Sequence, residues 1–169
     1  MNAKQILEDN ARKFIVSTAM PQLFKPDSVI SYDLTTDWLE TNTDNEKKLV
    51  YKRFNSGEVQ HLLISKVTKD GSRVSEKIPI DETKYAELSK ESLLHLEKKR
   101  FEASLPQNGQ VFSLKYDEFA GSDLRILEVD AESDEERALF EPDDFPAALI
   151  EVTGDLRYYG YRIADQLHK

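Results

Sequence analysis

The sequence contains no cysteine among its 169 residues. Disulfide bonds, zinc sites built on thiolates and cysteine nucleophiles are therefore excluded. The amino terminus carries charged residues throughout and has no apolar signal-peptide core. The longest apolar stretch without a charged residue, 14–24, is too short to cross a bilayer and contains Pro21. Together with the lack of cysteine, which fits a reducing compartment, this predicts a soluble protein of the cytoplasm.

Several motifs of nucleotide and acyl chemistry are also missing. Neither of the glycine-rich phosphate loops, GxxxxGK[ST] and GxGxxG, occurs in the sequence. Histidine is scarce, because the three histidines are His61, His95 and His168. A serine–histidine–aspartate triad could still be formed from the residue types present, but no nucleophile elbow supports one.

Positive charge is in deficit, since 23 lysines and arginines stand against 32 aspartates and glutamates and the net charge is −9. This balance argues against a general surface for nucleic acid or for anionic membranes. It does not exclude a local basic pocket inside the fold. A charged content of 33% beside a hydrophobic content of 39% is what a barrel with a charged interior would give.

The pattern of short alternating strands predicts one α+β domain over 1–169, with about eight antiparallel strands in a barrel or sandwich and helices outside. The clearest element is a hairpin with strands at 49–54 and 59–67. Asp81 and Ser133 are predicted to cap helices at their amino-terminal ends.

Other segments are predicted less directly. Residues 2–10 are predicted to form a short helix and 36–46 a polar loop, while 155–167 is predicted to be an amphipathic helix. Tyr158, Tyr159 and Tyr161 could line a base-stacking pocket, but helix packing is the better explanation for Tyr159.

Two charged strands stand out between 96 and 130. Lys98 and Arg100 share one face of a strand with apolar residues, and so do Glu128 and Asp130, because side chains alternate along a strand. Such residues could form a solvated edge, where lysine prevents strand pairing. Alternatively they face a polar interior, where charge must be paired or must hold a ligand. A basic and an acidic strand that face one cavity would suit a polyphosphate with a divalent metal.

The same region resembles the CYTH domain family, also called the triphosphate tunnel metalloenzymes. Four segments occur in the family's order, namely LEKKRF (96–101) for its K-x-R strand, YDEFAG (116–121) for D-x-F-x-G, LEVD (127–130) for E-x-E and EVTGD (151–155) for its closing segment. The resemblance implies an eight-stranded antiparallel β-barrel whose tunnel binds a triphosphate through basic residues and Mg²⁺ or Mn²⁺ through acidic ones. It implies metal-dependent hydrolysis of an inorganic or organic triphosphate. A diverged protein that binds a phosphorylated ligand or nucleotide without efficient turnover is one alternative, and a class IV-type adenylyl cyclase is another.

The resemblance also implies roles for individual residues. The residues implied to bind phosphate are Lys13, Lys52 or Arg53, Lys66, Arg73, Lys98 and Arg100. The residues implied to bind the metal are Glu128, Asp130, Glu151 and Asp9, and those implied in catalysis are Lys13 and Glu128. The expected partner is a triphosphate or a nucleoside triphosphate, with no nucleic acid or membrane, bound by a monomer or homodimer.

Three positions depart from the family pattern. Ala11 stands where the signature E-x-E-x-K has its second glutamate, and it cannot bind a metal. Lys52 and Arg53 are adjacent in place of R-x-R, so that only one of them can point into a tunnel. Ser75 stands near Arg73 where a glutamate is usual. The loss of a carboxylate at Ala11 motivates the alternative of a protein that binds without efficient turnover.

Overall fold

The structure is a computed structural model that describes residues 5–8 as backbone, together with 10–25, 27–41 and 44–167. The chain divides into two compact units. The first unit contains Met1–Asp9, Asp33–Glu97 and Tyr159–Lys169, and the second contains Asn10–Tyr32 and Lys98–Tyr158. The single domain over 1–169 stays a prediction.

The described residues form a mostly antiparallel α+β fold, which confirms the predicted class. The strands are β1 (Gln5–Glu8), β2 (Arg12–Val16), β3 (Ile30–Thr41), β4 (Asn45–Phe54), β5 (Val59–Lys69), β6 (Ser72–Pro79), β7 (Leu94–Gln107), β8 (Gln110–Phe119), β9 (Arg125–Asp130) and β10 (Leu149–Glu151). The helices are α1 (Glu82–Ser89), α2 (Asp134–Ala138) and α3 (Gly160–Leu167), with short 3-10 turns at Gln22–Phe24, Pro142–Asp144 and Leu156–Tyr158. Within the described ranges, no helix has the length and apolar character needed to cross a membrane.

In the first unit the hydrogen-bonded strands follow the order β1-β6-β5-β4-β3. The β4–β5 pair is the predicted hairpin, and its turn places Gly57 at a φ of 92°, which favours glycine. α1 begins after Asp81, whose carboxylate accepts a hydrogen bond of 2.7 Å from the amide of Lys84. The predicted cap is therefore confirmed.

In the second unit the order is β7-β8-β9-β2-β10. One face of these strands is apolar and packs into a core, whose fully buried members include Phe14 of β2, Phe112 and Leu114 of β8, and Leu127 of β9. Side chains alternate, so the residues between these positions lie on the opposite face. The register therefore places a row of charged residues on the face of these strands that is opposite to the core. Ser133 caps α2 by accepting a hydrogen bond from the amide of Glu136, as predicted.

The amino-terminal segment differs from its prediction. Gln5–Glu8 is strand β1, which pairs antiparallel with β6 from Gln5 opposite Lys77 to Glu8 opposite Val74. The helix predicted for 2–10 is therefore wrong over these four residues. The reason is that a segment this short has little intrinsic helical stability, and backbone hydrogen bonds to a partner strand decide its conformation.

The predicted loop at 36–46 is also wrong over most of its length. β3 continues to Thr41 and β4 begins at Asn45. Thr36 and Trp38 are only 3% and 1% exposed. The stretch is polar in composition, but these side chains face the interior of the fold. The closing helix is shorter than predicted, since a 3-10 turn at Leu156–Tyr158 precedes α3.

The closed eight-stranded barrel is not confirmed. Ten strands are described, and β1 and β10 each pair with a single strand among the described residues, β6 and β2 respectively. Closure of the sheet into a barrel therefore stays a prediction.

Candidate functional site

A set of charged residues in the second unit lies on the face of its strands that is opposite to the apolar core. Cross-strand register aligns Arg100 of β7 with Asp117 of β8, Lys115 of β8 with Glu128 of β9, and Glu128 with Lys13 of β2. Lys98 lies on the same side of β7, with its ammonium group 5.4 Å from the ring centre of Phe119. We call this set the charged face; it comprises Lys13, Lys98, Arg100, Glu102, Lys115, Asp117, Glu128 and Asp130.

Asp117 binds both basic residues of β7. Its Oδ2 accepts hydrogen bonds from Lys98 Nζ at 2.8 Å and from Arg100 Nη2 at 2.7 Å. Its Oδ1 accepts a third bond from Arg100 Nε at 2.7 Å. The side chain of Asp117 is 2% exposed, and those of Lys98 and Arg100 are 14% and 12% exposed. These cations are therefore buried and paired, and the alternative of a solvated edge is wrong.

Burial and the neighbouring charges separate the protonation behaviour of the two cations. Burial, followed by the charge of Arg100, lowers the pKa of Lys98 to about 8, although Asp117 and Glu128 partly offset this effect. Burial also acts to lower the pKa of Arg100, but Asp117 outweighs it and keeps that pKa above its ordinary value. Lys98 therefore loses its proton at a lower pH than an ordinary lysine does, whereas Arg100 remains charged.

Glu128 is the acidic group at the centre of this face. Burial by itself would raise its pKa, but the charges of Arg100, Lys13 and Lys98 outweigh burial and hold the pKa well below its ordinary value. Lys13 is directly opposite Glu128, and its ammonium group donates a hydrogen bond of 2.9 Å to the carbonyl of Tyr158. The two residues with predicted catalytic roles are therefore cross-strand neighbours, and Glu128 is ionised at neutral pH.

A second cluster of buried charge lies in the first unit, around Glu46 of β4. Its Oε1 accepts a hydrogen bond of 2.7 Å from the indole of Trp38, and its Oε2 accepts one from Arg73. Lys48 is 3.4 Å away, and Lys66 is the direct cross-strand partner of Glu46. We call Glu46, Lys48, Lys66 and Arg73 the Glu46 cluster.

The electrostatics of this cluster favour the ionised carboxylate. Burial by itself would raise the pKa of Glu46, whose side chain is 4% exposed. The charges of Lys48 and Lys66, then the indole hydrogen bond and the charge of Arg73, outweigh burial and lower this pKa to about 2. The predicted phosphate-binding residues Lys66 and Arg73 are thus held beside one carboxylate that the sequence did not indicate.

The structure distinguishes Lys52 from Arg53. Alternation along β4 places Lys52 on the face of Glu46 and Lys48, whereas Arg53 points to the opposite face and is exposed. Only Lys52 therefore shares a face with the cluster.

The remaining predicted metal ligands lie in other ion pairs. Both oxygens of Glu151 accept hydrogen bonds from Arg12 at 2.9 Å, on the face of β2 opposite to Lys13. Asp130 accepts a hydrogen bond of 2.8 Å from Arg137. Both carboxylates are therefore already paired with an arginine, and Asp9 lies outside the described residues.

Arg12 and Arg137 line a cleft of about 370 Å³ in the second unit. Arg12 also donates hydrogen bonds of 3.0 Å to the carbonyl of Arg137 in the last turn of α2 and to that of Phe140 just beyond the helix. These contacts give Arg12 a structural role at the end of α2. The same guanidinium group forms the ion pair with Glu151.

A divalent metal requires several oxygen ligands that converge on one point. Over the ranges 10–25, 27–41 and 44–167, no group of three or more histidine, aspartate and glutamate side chains does so. On the charged face, both oxygens of Asp117 are bound to Lys98 and Arg100, and Asp130 accepts a hydrogen bond from Arg137. The described residues by themselves therefore do not fit the Mg²⁺ or Mn²⁺ site that the resemblance implies.

The serine–histidine–aspartate arrangement left open by the sequence is not formed around His95. Ser92 Oγ donates a hydrogen bond of 2.8 Å to Asp37 Oδ1, and His95 Nδ1 lies 2.8 Å from the same oxygen. The serine thus contacts the carboxylate, whereas a triad needs it to contact the imidazole. His61 packs against the ring of Tyr85 at 4.9 Å. These histidines are explained by packing around α1, and His168 lies outside the described residues.

Sequence reasoning missed Asp117 and Glu46 as site residues. Asp117 was available in principle, because it lies in the segment YDEFAG and alternation places it on the same face of its strand as Lys115. Glu46 gave no local signal, since it follows a stretch that was predicted to be a loop. Trp38 fixes its position, and the start of α3 approaches that indole so closely that a Cβ on Gly160 would lie 2.9 Å from the ring.

Comparison with known proteins gives structural relatives only. No family profile and no curated protein sequence matches the chain. A structure described as the inorganic triphosphatase NE1496 is 28% identical with a TM-score of 0.59, and the match covers 92% of this chain and 97% of that one. A second structure of NE1496, described as a hypothetical protein, has the same identity and TM-score and covers 94% and 97%. The PH1819 protein from Pyrococcus horikoshii OT3 is 18% identical with a TM-score of 0.52 over 76% and 82% of the two chains. The chain is therefore similar in structure to an inorganic triphosphatase along nearly its whole length, which supports a CYTH-like fold.

Proposed function

We propose that this protein belongs to the CYTH family and that its charged face binds a triphosphate, inorganic or organic, for hydrolysis. The observation that carries the proposal is the buried pair of Lys98 and Arg100, held on Asp117 by bonds of 2.7–2.8 Å. Four cations lie on this face, namely Lys13, Lys98, Arg100 and Lys115, beside the carboxylates of Glu102, Asp117, Glu128 and Asp130. Several cations held close together in a partly dehydrated setting suit a polyanion. The likeness to a structure described as an inorganic triphosphatase supports the same assignment.

Hydrolysis of a terminal phosphoryl group forms one bond and breaks one bond. A water oxygen bonds to the terminal phosphorus, the bond from that phosphorus to the bridging oxygen breaks, and the proton of the water passes to the leaving phosphate group or to solvent. From tripolyphosphate the products are orthophosphate and diphosphate. Because the reaction is limited by charge and positioning, the protein's contribution is fixed cations around the phosphoryl oxygens.

Individual residues have separate roles in this proposal. Lys98 and Arg100 bind non-bridging oxygens, and Asp117 keeps both cations in place before the ligand arrives. Lys13 lies opposite Glu128 and would neutralise charge on the terminal phosphoryl group. Glu128 has too low a pKa to be an effective proton acceptor, so that it would orient the attacking water by accepting a hydrogen bond.

A divalent metal would supply further charge neutralisation when bound. Since the described carboxylates do not assemble a donor set for it, the roles above belong to the side chains alone. A requirement for Mg²⁺ or Mn²⁺ remains an expectation from the family resemblance, and it is tested together with turnover.

A second candidate function is binding of a phosphorylated ligand without efficient turnover. Two observations favour it, namely the alanine at position 11 and the ion pairs that occupy Glu151 and Asp130. In that case the cations of the charged face would keep their ligand, but no group would activate water.

Phosphate release distinguishes the two functions. Tripolyphosphate, thiamine triphosphate and ATP are each offered with a chelator, with Mg²⁺ and with Mn²⁺. We expect release in at least one metal condition, and a fall in kcat/KM of roughly a hundredfold or more in Lys98→Met, because one buried charge contact to the phosphoryl group is removed. The matched control is Lys99→Met, since Lys99 is the adjacent residue, is exposed and points to the opposite face.

Each other outcome has a definite meaning. Tight binding by calorimetry without release would support the second function. Formation of cyclic AMP from ATP would identify a cyclase. If Lys98→Met and Lys99→Met reduced release equally, the charged face would not be the site.

A further inference from the structure

The Glu46 cluster combines one buried carboxylate with a surplus of positive charge. Glu46 is 5% exposed, and its two oxygens are bound from different sides by the indole of Trp38 and the guanidinium of Arg73. Lys48 approaches the oxygen that Trp38 also binds. Three cations thus surround one carboxylate, because Lys66 is its direct cross-strand neighbour.

The cations themselves are held in place. The guanidinium carbon of Arg73 lies 4.6 Å from the ring centre of Tyr159, so that an aromatic face supports it on one side. Lys66 lies between two strands, with Glu46 opposite it on β4 and Ser75 opposite it on β6. The positions of the cluster are therefore fixed by register and stacking as well as by charge.

Ser75 is a polar residue on the same face of the sheet, directly opposite Lys66. It is 3% exposed, and its hydroxyl is buried without a hydrogen-bond partner among the described residues. A buried hydroxyl with no partner is costly, so that it often indicates a group that a ligand completes. Its place beside Lys66 is where a phosphate oxygen could accept its hydrogen bond.

We propose that Glu46 is a built-in counter-anion, which neutralises part of the Lys48, Lys66 and Arg73 charge and thereby sets how tightly this cluster attracts a polyphosphate. The inference rests on the proposed ligand class, but not on turnover. A carboxylate on Arg73 occupies N–H donors that a phosphate would use, because both anions bind guanidinium in the same way. The indole of Trp38 keeps the carboxylate in this position, so that it acts in the absence of ligand.

The alternative is that Glu46 is only a structural ion pair. In that case its removal would lower stability and leave anion affinity unchanged. A counter-anion predicts the opposite pattern for affinity, since the same three cations would attract a polyanion more strongly once the carboxylate is neutral.

The test is calorimetric titration of the full chain with tripolyphosphate, at low ionic strength and with a chelator, so that neither metal nor hydrolysis contributes. Glu46→Gln keeps the shape of the side chain and an oxygen for the Trp38 indole. We expect it to bind roughly tenfold or more tightly than the wild type, as the loss of one nearby negative charge implies. The control is Glu76→Gln, which neutralises a carboxylate on the opposite face of β6 and should leave the affinity unchanged.

A second experiment moves the negative charge from position 46 to position 75, on the other side of Lys66. Ser75→Asp in the Glu46→Gln background restores one carboxylate beside Lys66, and the affinity should return towards that of the wild type. Ser75→Asp alone adds a carboxylate and should weaken binding by roughly tenfold. This single variant keeps Glu46, so that it tests the proposal even if Glu46→Gln fails to fold.

The outcomes separate this inference from the proposed hydrolysis. Tighter binding by Glu46→Gln in a protein that releases no phosphate would support the counter-anion and contradict the hydrolase. Unchanged or weaker binding by Glu46→Gln, with a lower melting temperature, would show a structural ion pair only. If neither the wild type nor Glu46→Gln bound tripolyphosphate, or if Ser75→Asp bound it as the wild type does, the proposal would be overturned.

Discussion

Asp117 in the second unit and Glu46 in the first are both nearly inaccessible carboxylates held by an arginine and a lysine. They differ in how their oxygens are used. Asp117 gives both oxygens to Lys98 and Arg100, and the arginine is its direct cross-strand partner. Glu46 shares one oxygen with an indole, and its arginine lies on a strand beyond its direct neighbour.

This difference shows two ways of holding cations on a buried carboxylate. A direct cross-strand pair depends only on register, so that the carboxylate and the cations are positioned by the same two strands. A diagonal contact depends on long side chains, and additional support from Trp38 and Tyr159 is needed to hold them. We expect the direct pair to be the more important for stability and the diagonal one to be the more adjustable in affinity.

Neutralising each of the two carboxylates in turn should show most clearly how much each contributes to the free energy of unfolding. Asp117→Asn leaves two buried cations without a counter-ion, and we expect it to lower the free energy of unfolding by roughly 3–5 kcal/mol. Glu46→Gln keeps the hydrogen bond from Trp38, and we expect a smaller loss of about 1–3 kcal/mol. Urea unfolding at neutral pH measures both values.

The control for these variants is Asp123→Asn, at an exposed turn, which should change the free energy of unfolding by no more than about 0.5 kcal/mol. A larger loss in Glu46→Gln than in Asp117→Asn would reverse the ranking and refute the argument from direct pairing.

The lowered pKa of Lys98 predicts a rise in stability at alkaline pH. The folded pKa is about 8 and the ordinary value is 10.5, so that between these values the unfolded chain binds more protons. The free energy of unfolding should therefore increase as the pH rises from about 8 towards 10, by up to about 3 kcal/mol from this group. Urea unfolding at pH 7, 8, 9 and 9.5 gives the slope.

Lys98→Met should lack this alkaline rise, whereas Lys99→Met should keep it. Equal slopes in the wild type and in Lys98→Met would mean that Lys98 keeps its ordinary pKa in the folded protein. The same titration should weaken tripolyphosphate binding above pH 8, because the ligand then loses one cation.

The smallest expected effect concerns the adjacent pair on β4. Lys52→Ala removes a cation from the face of the Glu46 cluster, and we expect tripolyphosphate to bind about three- to tenfold more weakly. Arg53→Ala removes a charge from the opposite, exposed face and should leave the affinity within about twofold. Calorimetric titration compares the two; the reverse ranking would mean that the ligand contacts the other face of the strand.

Sequence patterns predicted those features that depend on neighbouring residues. The caps at Asp81 and Ser133 were correct because a cap is a contact over three residues. The hairpin around Gly57 was correct because the turn and both strands lie within one short segment. The shared face of Lys98 and Arg100 was also correct, since alternation is a property of the strand alone.

Features that depend on distant partners were missed or left open. Residues 36–46 read as a loop because their polar side chains have no local justification, yet Trp38 and Glu46 bind each other across β3 and β4. Glu151 lies on a short segment with a family motif, but Arg12, 139 positions away in the chain, determines where its carboxylate lies. No window of sequence contains both members of such a pair.

The sequence by itself determined the periodicity, and with it the α+β class, the caps, the hairpin and the presence of basic and acidic strands. Only the tertiary structure decided which charges meet. Strand register places Arg100 against Asp117 and Lys66 against Glu46, and it directs Glu151 to Arg12 on the face away from Lys13. The physical reason is that a charge buried in the fold must find its counter-charge among residues brought close by folding, and proximity along the chain does not specify them.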